Sequence, residues 1–120
     1  VHFEIPFDDK ERAKKFYAQT FDWTIDEMPE IGYIGLTTTP ADAMGVPTEP
    51  GAINGGMTER THETPAPVIT IGVDSIEESV KKIEASGGKV ITPKGKVPGM
   101  GYFIYFQDTE GNVIGLWQDL

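Results

Sequence analysis

A pattern repeated in the two halves of this chain limits its possible folds more than any other feature. Residues 2–9 alternate side chains at the period of a β-strand, and an amphipathic helical stripe of Ala13, Phe16, Tyr17 and Thr20 follows. Residues 68–75 begin the same succession of patterns, so that Phe7 aligns with Val73. Three shorter β-like runs come after each predicted helix. The sequence therefore predicts two β-α-β-β-β modules.

The repeat also predicts how the chain is divided. Module one covers residues 1–57, a polar linker that contains proline covers 58–67, and module two covers 68–120. The whole of 1–120 has the length of a single domain. Residues 39–51 form a long irregular stretch in module one, and loops of this length are often functional. We therefore expect one domain built from two halves.

The charge of the chain is strongly acidic, with 10 Lys and Arg against 19 Asp and Glu and a net charge of −9. Nucleic acids and anionic membrane surfaces are poor partners for such a chain, because both are bound through basic side chains. No apolar run approaches the ~20 residues of a membrane span, and no signal-peptide pattern opens the chain. The absence of cysteine excludes disulfides and thiolate catalysis. We expect a cytoplasmic protein that binds neither nucleic acid nor membrane.

Several short motifs add to the repeat. They are His2 followed by Asp8-Asp9, Phe16-Tyr17, Phe21-Asp22-Trp23, Gly101-Tyr102-Phe103, Asp108-Thr-Glu-Gly-Asn112 and Gly115-Leu-Trp117. Together with the two modules they resemble the vicinal oxygen chelate superfamily, which includes glyoxalase I, bleomycin-resistance proteins and extradiol dioxygenases. The resemblance covers essentially the whole chain. One departure is Thr109, which stands where the family usually has proline.

The resemblance implies an α+β fold in which the two modules form a U-shaped trough of mixed β-sheet with the helices outside. Strand faces turned away from the helices would line the trough. By alternation these include His2, Glu4, Thr70 and Gly72, whereas Phe3, Ile5, Ile69 and Ile71 would pack under the helices. The resemblance also implies a small-molecule ligand and a homodimer.

Metal-dependent members of the superfamily take one ligand from the first and one from the last strand of each module. The matching positions here are His2, Gly55, Val68 and Gly115, of which only His2 can bind a metal. A divalent ion generally needs three protein ligands even in an open site. We therefore expect no metal cofactor. The alternative is a divalent metal held by His2 and Glu4 with help from Asp42 or Glu49 of the long loop.

Our first functional hypothesis is a metal-independent protein that binds a small apolar or aromatic metabolite or toxin in the trough, as bleomycin-resistance proteins bind a drug. The candidate ligand-binding residues are Thr70, Met57, Tyr102, Tyr105, Val113 and Trp117. The inward face of strand 101–106 is left open by the pattern. Trp23 and Phe106 are further candidates for an aromatic lining with Met57 and Trp117, and packing in the core is at least as good an interpretation of these residues. The acidic charge favours neutral or cationic ligands.

The alternative hypothesis is an enzyme of the superfamily, either a lyase, an isomerase or a hydroxylase or dioxygenase relative. Glu4 and His2 would be its catalytic residues, with or without a divalent metal. A carboxylate that faces an apolar trough is a candidate acid or base, because burial disfavours its charged form. The simpler interpretation is that His2 is partly solvated and that Glu4 is tied to a neighbouring polar group.

Overall fold

The computed structural model describes all 120 residues, Val1–Leu120. Its internal contacts divide the chain into a first unit, Val1–Pro67, and a second unit, Val68–Leu120. The boundary falls where module two was expected to begin. None of the helices is long and apolar enough to cross a membrane.

The first unit contains one helix and four strands. They are β1 (His2–Phe7), α1 (Lys10–Phe21), β2 (Thr24–Met28), β3 (Tyr33–Thr37) and β4 (Gly55–Glu59), with a short 3-10 helix at Pro29–Ile31. The strands lie in the order β2-β3-β4-β1, and only the β1–β4 pair is parallel. The β-α-β-β-β order predicted for this half is confirmed. Strand β4 extends to Glu59, so the connecting segment begins two residues later than expected.

Local signals explain the limits of α1. The Asp9 side chain accepts a hydrogen bond from the Arg12 backbone N–H at 2.9 Å, which caps the first turn. The helix ends at Phe21, and the C-cap residue Asp22 has a left-handed φ of 56°. On the inner side of α1, Ala13 and Tyr17 pack against a sheet core formed by Ile34, Leu36 and Met57.

The second unit repeats this arrangement with one additional strand. Its elements are β5 (Val68–Gly72), α2 (Ile76–Ala85), β6 (Lys89–Val90), β7 (Gly95–Val97), β8 (Gly101–Gln107) and β9 (Val113–Asp119). The order is β5-β9-β8-β6, and β7 also pairs with β8. Only β5 and β9 pair in parallel. The short strand β7 was not expected, because its residues alternate too briefly to be recognised.

The core of the second unit lies between α2 and the sheet. It consists of Ile76, Ile104, Phe106 and Leu116, with Val80 and Ile83 of the helix packed against them. Ser75 caps α2 by accepting a hydrogen bond from the Glu78 backbone N–H at 3.2 Å. The Gln118 side chain accepts another from the Ile76 backbone N–H at 2.9 Å. These two contacts tie the start of α2 to its own turn and to β9.

Two expectations about packing are wrong. Ile69 and Ile71 of β5 were expected under a helix, but they are 61% and 48% exposed. Phe16 was assigned to the buried stripe of α1 and is 55% exposed. Alternation correctly divides the residues of a strand between two faces, but it does not say how much of each face a helix covers.

Candidate functional site

The pairing of β1 with β4 fixes the two faces of the first unit's sheet. Ile5 lies beside Met57, and both belong to the core that α1 covers. Glu4 lies beside Gly56 and therefore on the opposite face, which we call the distal face of the unit. His2 shares this face with Glu4, as the alternation predicted.

Tyr33 lies across the distal face of the first unit. A Cβ atom added to Gly56 would overlap its hydroxyl group, so the glycine leaves room for the phenol ring. The Tyr33 hydroxyl and His2 Nε2 are hydrogen-bonded at 2.5 Å. Their rings are stacked with centroids 6.1 Å apart. Sequence reasoning missed Tyr33, because nothing in the chain shows which strand lies next to β4.

Burial keeps both members of this pair neutral. It lowers the pKa of His2 to about 4, with a smaller contribution from the Val1 ammonium group. Burial also raises the pKa of Tyr33, and the negative charge of Glu4 adds to that effect. A neutral imidazole with such a low pKa is a weak base at pH 7. The geometry therefore supports a structural hydrogen bond better than a catalytic role for His2.

The residues present do not fit the family's metal site. Thr70 pairs with Gly115 in the second unit, and the equivalent pair in the first unit is Glu4 with Gly56. Gly56 is therefore the counterpart of Gly115, which corrects the expected Gly55 by one residue. Neither glycine offers a ligand atom, and no three His, Asp or Glu side chains come together anywhere in the chain. Metal independence remains a prediction.

The distal face of the second unit, turned away from α2, is aromatic. Phe103 lies beside Trp117, and Tyr105 lies beside Gly115. The neighbouring residues Ile104 and Leu116 point the other way, into the core. We call Phe103, Tyr105 and Trp117 the aromatic platform.

Glycines allow the rings of the aromatic platform to lie against the sheet. A Cβ on Gly101 would come within 2.6 Å of Trp117 Cζ2, and a Cβ on Gly95 would overlap the Phe103 ring. Phe103 and Tyr105 meet edge to face at 5.9 Å. The Trp117 indole Nε1–H donates to Asp119 Oδ1 at 2.8 Å, which fixes the ring orientation. The platform is therefore a preformed, partly exposed apolar surface.

The structure divides the predicted ligand-binding residues between the two faces. Thr70, Tyr105, Val113 and Trp117 share the distal face of the second unit. Met57 does not belong with them, because it is 0% exposed in the core of the first unit. Tyr102 lies on the opposite face from these four residues. It packs against the core under α2, with the Lys94 ammonium group 4.3 Å from its ring. Phe103 was missed, although it shares a face with Tyr105.

The other aromatic residues considered for the ligand site lie in the cores. Trp23 stacks on Tyr17 of α1 at 5.2 Å and contacts the core of the first unit. Phe106 is a buried member of the second unit's core. Core packing, the alternative left open by the sequence, is correct for these two residues.

Comparisons with known proteins agree with this architecture. The sequence profile of the Glyoxalase/Bleomycin resistance protein/Dioxygenase superfamily matches residues 1–116. A glyoxylase-like domain-containing protein of Didymella fabae is 35% identical over 91% of this chain and 84% of its own length. Putative glyoxylase CFP32 of Mycobacterium bovis is 31% identical over 92% of this chain, which spans only 41% of that protein.

Solved structures with low sequence identity share the fold. The methylmalonyl-CoA epimerase of Streptomyces coelicolor, in complex with 2-nitronate-propionyl-CoA, superposes with a TM-score of 0.63 at 15% identity. The match covers 98% of this chain and 94% of the epimerase. The α+β fold expected from the resemblance is thereby confirmed, and the chain belongs to the Glyoxalase/Bleomycin resistance protein/Dioxygenase superfamily.

Proposed function

We propose that this protein binds a small apolar or aromatic molecule without the help of a metal ion, and that the aromatic platform makes the principal contacts. The observation that carries the proposal is the Trp117 ring, which lies over Gly101 beside Phe103 and is fixed by Asp119. Aromatic surfaces held in one orientation bind flat ligands at a small entropic cost. Thr70 and Val113 flank the platform on the same face.

Three further facts support this proposal. The residues at the family's metal positions include no set of three ligands. The net charge of −9 favours neutral or cationic molecules over anions. A neighbour of the same fold holds a small-molecule ligand.

A homodimer and a cytoplasmic location, which the resemblance and the composition suggest, belong to the same proposal. For a dimer, light scattering would give twice the chain mass of 13.2 kDa.

The platform is tested by titrating the isotope-labelled protein with 2-naphthol, indole and quinoline and following the backbone amide signals by NMR. We expect shifts at Phe103, Tyr105 and Trp117. Trp117→Leu should weaken binding about fivefold to tenfold, because it removes an aromatic contact and its buried area. The matched control is Phe21→Leu, an exposed ring of the first unit, which should bind as the wild type does. Absence of binding by all three probes at millimolar concentration contradicts the proposal.

Metal independence needs its own test. Calorimetric titration with Zn²⁺ and Ni²⁺ should show no stoichiometric binding to the wild type. Stoichiometric binding that disappears in both His2→Gln and Glu4→Ala would overturn this half of the proposal. It would favour the alternative of a metal held by these two side chains.

A second candidate function is catalysis by Glu4. One observation favours it: the Glu4 carboxylate lies close enough to Tyr33 to raise the pKa of the phenol, so an acidic group does face the distal side. The hemithioacetal of methylglyoxal and glutathione is a suitable first substrate, because one relative is named a glyoxylase-like domain-containing protein and another a putative glyoxylase. We expect no turnover. Turnover that is lost in Glu4→Gln would establish the enzyme instead.

A further inference from the structure

The first unit has a concave feature on the helix side of its sheet, away from its own distal face. It is a shallow cleft with a volume of about 300 Å³, where the end of β1, the first turns of α1 and the residue after β4 meet. Its lining includes Phe7, Asp8, Arg12, Ala13, Phe16 and Arg60. Sites for small ligands begin at about this size.

The charge distribution in this cleft is unusual for so acidic a chain. Arg12 and Arg60 are the only two arginines in the sequence, and both line it. Arg60 already has partners: its Nε donates to Asp8 Oδ1 at 2.9 Å, and its Nη1 donates to the Pro65 carbonyl. The charge of Arg60 is therefore balanced by Asp8, and its side chain forms one wall of the cleft.

The Arg12 side chain, unlike that of Arg60, has no partner in the protein. The Arg12 backbone N–H caps the helix with Asp9, but the guanidinium group has no hydrogen bond or ion pair. Phe16 lies four residues further along α1 and thus on the same helix face, with its ring 55% exposed. Phe7 and Ala13 extend the apolar part of the cleft. A planar cation with free donors therefore stands next to an exposed ring and an apolar floor.

We propose that this cleft is a second binding site, for small aromatic monocarboxylates. The carboxylate would accept paired hydrogen bonds from the Arg12 guanidinium, and the aromatic body would lie against Phe16 and Ala13. Asp9 at the rim has no ion pair and would repel a second negative charge, so dianions should bind less well. This ligand class differs from the neutral or cationic molecules proposed for the aromatic platform.

The test compares 2-naphthoate with its neutral amide, 2-naphthamide, by NMR titration of the full chain at low salt. We expect 2-naphthoate to shift the amide signals of Asp9, Arg12, Ala13 and Phe16 and to bind several times more tightly than the amide. Arg12→Gln keeps the helix cap, because the cap uses the backbone N–H. This variant should weaken 2-naphthoate binding about threefold to tenfold.

The matched control is Lys15→Gln, which removes one positive charge from the exposed side of the same helix. It should leave the affinity for 2-naphthoate within a factor of two. The proposal is overturned if 2-naphthamide binds as well as 2-naphthoate, or if Lys15→Gln weakens binding as much as Arg12→Gln does. Shifts confined to Phe103, Tyr105 and Trp117 would also overturn it, while they would support the function proposed for the platform.

Discussion

The Tyr33 hydroxyl lies 2.5 Å from His2 Nε2, in a position that a side chain on Gly56 would occupy. The contact joins residues 31 positions apart in the sequence. Both residues are partly buried, and neither the Tyr33 hydroxyl nor His2 Nε2 has another hydrogen-bond partner in the protein. This hydrogen bond holds the side chains of His2 and Tyr33 together on the distal face of the first unit, where Glu4 also lies.

Replacing Tyr33 by Phe should lower the free energy of unfolding by about 1–3 kcal/mol, because His2 Nε2 loses its partner in a desolvated position. Tyr17→Phe is the matched control. The Tyr17 ring also packs against the sheet, on its helix side, but its hydroxyl group makes no hydrogen bond. We expect that control to change stability by less than about 0.5 kcal/mol. Urea unfolding measures both, and equal effects of the two substitutions would contradict the role given to the contact.

Stability should depend on pH through His2. The pKa of His2 is 6.5 in the unfolded chain and about 4 in the folded protein, so the unfolded chain binds the proton more tightly. The free energy of unfolding that depends on a neutral His2 is fully present above pH 6.5, and it is lost as the pH falls towards 4. Between pH 7 and pH 5 we expect the free energy of unfolding to fall by about 2 kcal/mol on this account.

The measurement is urea unfolding at both pH values in the wild type and in two variants. His2→Gln should reduce the dependence on pH. His62→Gln, which removes the chain's other histidine from an exposed position, is the control and should keep it. Equal pH dependence in the wild type and His2→Gln would show that the imidazole is not desolvated.

Gly56→Ala should displace Tyr33, because the new methyl group would occupy the position of its hydroxyl. We expect a loss of about 1–3 kcal/mol from the overlap and from the broken contact with His2. Gly35→Ala is a close control: Gly35 pairs with Gly56 on the same face, but its Cβ would meet its nearest atom, Met28 Cε, at an ordinary 3.5 Å. Thermal unfolding distinguishes the two, and an equally destabilised Gly35→Ala would refute the steric argument.

Much of the fold could be predicted because its signals are local. The alternation of β1 and β5 and the glycines after α2 are readable without knowing which strands pair. The sequence also narrows each helix cap to two neighbouring residues, Asp8 or Asp9 and Asp74 or Ser75, of which the structure selects Asp9 and Ser75. The repeat then makes the same prediction twice. Strand β7 and the 3-10 helix were missed, because three residues carry too little periodicity.

The site could be predicted only in part, because the side of the sheet on which a side chain lies depends on how its strand pairs with its neighbours. Gly55 and Gly56 carry no side chain that would mark the buried face of β4, so Met57 was placed on the wrong side. In β8, Tyr102, Phe103, Tyr105 and Phe106 make both faces aromatic, and alternation gives no preference. The pairing with β9 resolves that ambiguity, and it puts Phe103 with Tyr105 on the platform.

Met57→Ala offers the sharpest distinction between core and ligand site. Because the side chain is completely buried with Ile34 and Leu36, truncation should leave a cavity and lower the free energy of unfolding by about 2–4 kcal/mol. Met44→Ala, at a position 62% exposed, should cost less than about 0.5 kcal/mol. The affinity for 2-naphthol should stay at the wild-type value in both variants, measured by NMR below the unfolding temperature. A folded Met57→Ala protein that binds 2-naphthol more weakly would return Met57 to the ligand site and contradict the assignment of binding to the aromatic platform.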